Sequence, residues 1–381
     1  MTASIYLDNN ATAPPAPSVV EAMRECLEQC WGNPSSMHRI GMAAKVRVIN
    51  ARAQVAALIG AAPPEIVFTG SATEANHTAI LAALSMAEGK RHIVSCAVEH
   101  PSTLLLFRHL KESGVRVTLV GVDAQGTIDL DQLAAAIEPD TALVSLMWAN
   151  NETGAIFPIS DAAKIAKSRG VPFHTDAVQA AGRLAIDVRQ VPVDFLSIAG
   201  HKLHAAKGVG ALFVRKGISL PPLLFGHQER GRRGGTENVA GIVGMGIAAE
   251  LAAQSLERDS VVIAGLRDRF EKELGRRLHH VRVNAAGAQR LPNTSSVSFE
   301  GFEAEMILDR LDRSGIWVSS GSACTAGGNA PSHVLLAMGL SPQDALSTVR
   351  FSLSRYNNAG EIDVVLGALT EILKPRASLA A

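Results

Sequence analysis

Phe173-His174-Thr175-Asp176-Ala177-Val178-Gln179 and Phe195-Leu196-Ser197-Ile198-Ala199-Gly200-His201-Lys202 decide the fold. Each is a short apolar run that gives way to small and polar residues, and the second ends on a lysine. They belong to a series of strand candidates at 66–69, 92–96, 116–120, 142–147, 172–175, 194–198 and 210–214. Helical patterns at 73–87, 101–111 and 160–169 lie between most of them. Apolar strands alternating with helices predict an α/β fold with a mainly parallel, seven-stranded sheet covered on both faces. In such sheets ligands sit at the carboxyl ends of the strands, so chemistry is sought there.

Outward from this stretch the pattern changes. Residues 18–31 and 41–59 read as amphipathic helices, and 239–274 is helical in pattern. A mixed region follows, with strands at 281–283, 295–299 and 317–319 and helices at 302–313 and 332–337. This predicts a large α/β domain over 18–260. A smaller α+β domain is built from 261–381 together with 1–17.

Composition narrows the function. The chain has 381 residues, 36 basic and 36 acidic, for a formal net charge of zero. A neutral chain with 4 % aromatic residues lacks the basic face and stacking platforms of a nucleic-acid binder. Its longest apolar run, near 239–249, falls short of the ~20 residues that span a bilayer, so no membrane role is expected. Residues 1–10 show no basic region followed by an apolar one, which predicts no export signal. Four cysteines, Cys26, Cys30, Cys96 and Cys324, are too few for a disulfide scaffold at this length. The expectation is a cytoplasmic small-molecule enzyme.

Several residues at the strand ends carry chemistry. Gly70-Ser71-Ala72-Thr73-Glu74 opens a helix, where free backbone N–H groups and the helix dipole favour an anion. Thr73 either caps that helix or donates to a phosphate. The missing lysine disfavours a nucleotide P-loop. Asp176 sits at a strand end, either capping the next segment or pairing with a protonated ring nitrogen. Lys202, between a strand end and a glycine-rich stretch, is poorly explained as a solvated charge. A phosphate cradle, an Asp and a Lys at successive strand ends together point to pyridoxal phosphate, whose aldehyde takes a lysine and whose pyridinium takes an acid. His100 in Val98-Glu99-His100-Pro101 is placed to stack on the ring and move protons. The amides of Asn150-Asn151 suit a ring hydroxyl. Cys324 lies among small residues, Ser319-Ser320-Gly321-Ser322-Ala323-Cys324-Thr325-Ala326-Gly327-Gly328, and reads as a reactive thiol. At its unperturbed pKa only about 3 % is thiolate at pH 7, so the site must activate it. Cys26 and Cys30 lack further partners for a structural metal, and Cys96 reads as strand core. Arg230-Gly231-Arg232-Arg233-Gly234-Gly235 resembles an RNA-binding patch only superficially. Arg350, basic within an apolar stretch, suits a carboxylate.

These residues resemble a known family. Tyr6-Leu7-Asp8-Asn9-Asn10-Ala11-Thr12, Gly32-Asn33-Pro34-Ser35-Ser36, Ala97-Val98-Glu99-His100-Pro101, Met147 to Gly154, His174 to Gln179, Gly200-His201-Lys202, Gln228-Glu229-Arg230-Gly231 and Ser319 to Thr325 are similar to motifs of the cysteine desulfurases of the class V aminotransferase superfamily, above all the nitrogen-fixation type. The resemblance spans residues 6 to about 356. It implies a homodimer of pyridoxal-phosphate fold type I that converts L-cysteine to L-alanine and passes sulfur, as a persulfide, to an iron–sulfur scaffold protein. By motif, Lys202 holds the cofactor and is the base for the α-proton. Asp176 pairs with the ring nitrogen, His100 stacks, and Gln179 and Asn151 surround the ring hydroxyl. Ala72, Thr73 and His201 bind the phosphate, with Thr236 reaching in from the other subunit. Arg350 and Asn33 grip the substrate carboxylate. Cys324 takes the sulfur, and it is also the residue that could transiently ligate a cluster.

Three positions depart from the family pattern. Ala199 replaces the usual serine before Gly-His-Lys, removing one hydroxyl from the implied phosphate cradle. Ala205-Ala206 stands in place of Gly-Pro, and Ser354 in place of a common glycine. Rival readings are another class V enzyme, an aminotransferase or selenocysteine lyase, and a non-catalytic scaffold that binds a sulfur acceptor. A plain aminotransferase has no use for the Cys324 thiol.

Overall fold

The computed structural model describes residues 4–320 and 330–374. The chain enters through β1 (Ile5–Tyr6), α1 (Pro17–Gln29) and α2 (Arg39–Leu58). The central part then alternates β2 (Ile66–Thr69), α3 (Ala72–Met86), β3 (His92–Cys96), α4 (Pro101–Glu112), β4 (Arg116–Val120), α5 (Leu130–Ala136), β5 (Thr141–Met147), α6 (Ile159–Ser168), β6 (Phe173–Asp176), β7 (Phe195–Ala199) and β8 (Gly210–Val214). These strands form one seven-stranded sheet in the order β2-β8-β7-β6-β5-β3-β4. Every pairing is parallel except the two made by β8. The expected mainly parallel sheet is therefore present. Strand β5 is buried along its whole length, as a strand covered on both faces must be.

The connections explain where the ligand edge lies. The parallel pairing, through α6 between β5 and β6 and through an irregular connection between β6 and β7, brings the carboxyl ends of these three strands to one edge of the sheet. Gly210 lets β8 approach the start of α3, because a Cβ there would sit 2.7 Å from the Ser71 carbonyl carbon. Gly154 closes the loop after β5 with φ +78, a left-handed conformation that suits glycine.

Beyond the sheet, α7 (Val239–Arg277) runs 39 residues without a break across residue 260. Its first half packs Ile242, Met245 and Ala249 into the main core. Its second half gives Ile263, Phe270 and Leu274 to a separate core. By length and apolarity α7 resembles a membrane span, but 56 % of its most apolar window is buried within the fold.

The second core supports a four-stranded sheet that includes β9 (Val281–Val283) and β10 (Thr294–Phe299). After α8 (Ala304–Arg313) the strand expected at 317–319 is split in two. Residues Ile316–Trp317 form β11, which pairs with β1. Residues Ser319–Ser320 form β12, which joins the four-stranded sheet beside β13 (Thr348–Ser352). Between them lie α9 (His333–Ala337) and α10 (Pro342–Leu346). Val334 and Leu335 of α9 pack into the main core rather than the second one. The last element, α11 (Ala359–Ile372), was not expected from sequence. Asn358 and Glu361 close its first turn as a capping box. Ile5 and Leu7 lie in the second core, where the N-terminus was expected to pack.

Candidate active site

A cavity of about 300 Å³ opens at the carboxyl edge of the main sheet. It gathers side chains from strand ends, from the start of α3 and from both ends of the chain.

Asp176 is the last residue of β6 and is buried. Its Oδ2 accepts the Asn76 Nδ2–H at 2.6 Å and its Oδ1 accepts the Val178 N–H at 3.0 Å. The segment that follows is a turn rather than a helix, so Asp176 caps none. Lys202 ends a short 3₁₀ turn, Gly200–Lys202, that follows β7. Its Nζ donates to the carbonyl oxygens of Asn10 and Ala11, so the N-terminal segment closes one wall of the cavity.

At the start of α3 the residue that caps the helix is Ser71, not Thr73. Ser71 Oγ accepts the Glu74 N–H at 3.1 Å, and Ala72 and Thr73 line the cavity beside it. His201 Nδ1 lies 3.2 Å from Thr12 Oγ1. Burial, with the nearby Lys202 and Lys207 charges, pushes its pKa down to about 4, so the ring is neutral at pH 7. His100 caps α4, accepting the Ser102 N–H at 3.2 Å, and burial holds its pKa below the usual range.

Gln179 donates through Nε2 to the Asn10 carbonyl at 3.1 Å, and Arg183 bonds its Oε1. The Asn151 carbonyl receives Asn10 Nδ2 at 3.0 Å and Arg350 Nη1 at 3.1 Å, while Asn151 itself lines the cavity. Arg350 is 3 % exposed; its Nη2 meets Asp8 Oδ1 at 2.7 Å, and its Nε is buried with no hydrogen-bond partner among the described residues.

Two sequence-predicted residues lie elsewhere in this chain. Asn33 is outside the cavity, its Oδ1 accepting the Ser35 N–H at 2.9 Å. Thr236 lines a separate pocket with Phe68, Glu229 and Arg233. Cys324 lies outside the described residues. The chain leaves for that segment from β12, whose Ser319 pairs with Arg350 of the cavity wall.

Sequence reasoning assigned no role to Asn10, Asn76 or Glu99. Asn76 was detectable as a polar residue among the alanines of a helix that is mostly buried. Asn10 gave a weaker signal, a buried polar residue far in sequence from everything it touches. Cys26, Cys30 and Cys96 are buried free thiols, and burial drives the Cys96 pKa well above 9. Among the described residues, one group of acidic and histidine side chains is close enough to hold a metal: His92, Glu138 and Asp140. It begins β3 and precedes β5, away from the cavity, and Arg116 already pairs with both carboxylates.

The donor set fits pyridoxal phosphate. The start of α3 supplies backbone donors and a favourable dipole for the phosphate. Asp176, pre-aligned by Asn76, is an acceptor for a ring N–H, and Lys202 is an amine for the aldehyde.

Comparison with known proteins gives a consistent result. The sequence profile of the class V aminotransferases matches residues 5–365. A protein of Nostoc sp. named cysteine desulfurase is 49 % identical over 371 residues, covering 97 % of this chain and 93 % of that protein. The cysteine desulfurase NifS of Azotobacter vinelandii is 45 % identical over 373 residues, with 97 % and 93 % covered. Among solved structures, a NifS-like protein superposes with a TM-score of 0.91 at 36 % identity, over 97 % of this chain and 99 % of that one.

Proposed function

The chain belongs to the class V aminotransferase family, and from that premise we propose that it takes sulfur from L-cysteine, releases L-alanine and carries the sulfur as a persulfide on Cys324 to an iron–sulfur scaffold. It is a pyridoxal-phosphate-dependent cysteine desulfurase. The observation that carries the rest is the meeting of Asp176, Lys202 and Arg350 in one cavity, beside the strand from which the Cys324 segment departs.

Pyridoxal phosphate bound there supplies an aldehyde for the substrate amine and a ring that accepts negative charge from the α-carbon. The protein's residues do the remaining work. Ala72, Thr73 and His201 hold the phosphate, with Thr236 of a second copy. Asp176 keeps a proton on the ring nitrogen, and His100 lies against the ring. Gln179 and Asn151 bond the ring hydroxyl. Arg350 fixes the substrate carboxylate, and Asn33, outside the cavity in this chain, joins it only if its loop moves inward. Lys202 Nζ removes the α-proton, as a positioned base. Cys324 Sγ, as the thiolate, then attacks the substrate sulfur: the S–S bond forms and the C–S bond breaks. The C–S electron pair stays with the β-carbon, which takes a proton and becomes the methyl group of alanine, and the α-carbon regains the proton that Lys202 took.

A homodimer is supported by the exposed apolar side chains of α1 and α2, among them Leu27, Ile49 and Val46, with Trp31 and Met37 in the loop between the helices. Phe225, in the loop leading to Thr236, is a further exposed aromatic side chain, at 87 %. The kinship with NifS supports a cytoplasmic setting and service to nitrogenase maturation. The deciding experiment is Cys324→Ala. The variant keeps the visible absorbance of the bound cofactor but releases no sulfide from L-cysteine. Normal cysteine turnover by it overturns the persulfide route.

A further inference from the structure

Glu99, the residue before His100, carries a carboxyl group with no assigned task. It is 1 % exposed. Its Oε1 accepts the Met147 N–H at 2.7 Å and the Cys96 thiol at 3.3 Å. Met147 pairs directly with Asp176 across the parallel ladder of β5 and β6, so the Glu99 carboxyl lies one strand away from the ring-binding acid. The Glu99 carbonyl oxygen meets His333 Nε2 at 2.9 Å, so the backbone of this residue is anchored separately from its carboxyl group.

We propose that Glu99 is a positioning residue for the cofactor ring: a buried carboxyl group behind Asp176 whose proton governs how tightly Asp176 holds the ring nitrogen.

The electrostatics support this. Two buried carboxylates this close do not both ionise easily, and the one with fewer donors keeps its proton. Asp176 has a side-chain amide and a backbone N–H; Glu99 has one backbone N–H and a weak thiol donor. Burial and repulsion from Asp176 push the Glu99 pKa up to about 8. The other titratable groups facing this cluster do not compensate. The Cys96 thiol is held protonated by burial, and His100 and His333 are both shifted toward the neutral form. Lys202 is the nearby cation, across the cavity. When Glu99 loses its proton, the added negative charge strengthens the attraction for a protonated ring. Linkage then requires that cofactor binding and Glu99 ionisation favour each other.

The inference rests on the pyridoxal-phosphate reading, and its test separates the two. Apoenzyme of the wild type, Glu99→Gln and Glu99→Asp is titrated with pyridoxal phosphate between pH 6.5 and 9, with Kd read from cofactor absorbance. Glutamine keeps the acceptor for Met147 N–H and cannot ionise. The ratio of the E99Q Kd to the wild-type Kd is expected to be near one at pH 6.5 and to rise about three- to tenfold by pH 9. E99D, which keeps a titratable group, follows the wild-type slope. A structural role alone changes Kd by the same factor at every pH, and that result overturns the inference. If E99Q does not fold, infrared difference spectra of the wild type decide. A protonated carboxyl band must be lost between pH 7 and 9 and must shift when the cofactor binds. Its absence, or its indifference to the cofactor, overturns the inference. A wild type that binds no pyridoxal phosphate overturns the function together with it.

Discussion

Replacing Arg350 by lysine tests how the substrate is held. Arginine and lysine carry the same charge but not the same donors: the guanidinium is a planar fork and the ammonium a compact point. Here Arg350 is locked in place by Asp8 at 2.7 Å and by the Asn151 carbonyl at 3.1 Å, and is 3 % exposed. Each Nη nitrogen carries two N–H groups and these contacts use one of each, leaving donors to spare for a carboxylate in the cavity that Arg350 lines. Lysine keeps the attraction but loses the two-pronged grip, so about one charge-assisted hydrogen bond is lost. That bond is worth about 1.5–3 kcal/mol. At 1.36 kcal/mol per tenfold, kcat/KM for L-cysteine should fall about 10- to 150-fold, mainly through KM. The cofactor's visible absorbance should not change. The control substrate is cysteamine, which has the thiol and the amine but no carboxylate, and on it the two enzymes should perform alike. A wild-type KM for L-cysteine in Arg350→Lys refutes the reasoning. An equal loss on both substrates does so as well, because the defect would then lie in the fold.

Two further outcomes follow from buried charge. Burial pushes the pKa of His174 down to about 3 and that of His204 to about 4. Both are lowered relative to an unfolded value of about 6.5. The stability they contribute is complete above pH 6.5 and is lost as pH falls toward 4, because the unfolded chain binds protons that the folded one refuses. Each such group contributes about 1.4 kcal/mol per pH unit in that window, while buried Glu99 and Glu152, with pKa values raised to about 8 and about 7, act with the opposite sign. The histidine contribution is therefore read as the difference in slope between the wild type and His174→Asn, measured by denaturant unfolding at stepped pH; equal slopes from pH 6.5 to 4.5 contradict it. Glu229, buried, takes both arms of Arg52 at 2.6 Å and the Phe68 N–H at 3.2 Å. Glu229→Gln should cost about 3 kcal/mol, since it strands the arginine charge; a change under 1 kcal/mol in urea midpoint analysis would show the pair to be dispensable.

Much of the site was legible because its chemistry sits at strand ends, and the strands were legible from apolar runs. Asp176 and Lys202 each follow such a run. The misplacements have physical causes too. The 317–319 run looked like one strand because local apolarity does not show that Trp317 and Ser319 hydrogen-bond to different partners. The boundary at 260 fell inside α7, since a long helix can serve two cores without any local signal of the change. Ser71 and Thr73 compete for one cap, and only the backbone geometry at residue 71, φ −168 and ψ 168, shows which residue takes it.

The sequence alone determined the class of fold, the order of its strands along the chain and the kind of cofactor. Those depend on periodicity and on residue types that few other chemistries require. The tertiary structure decided which residues share a site. Asn10 reaches Lys202, Gln179 and Asn293 across 169 to 283 positions. Glu99 lies behind Asp176 only because β3, β5 and β6 are neighbours in the sheet. Hydrogen bonds and charge repulsion act over a few ångströms of space, and separation along the chain does not encode those distances.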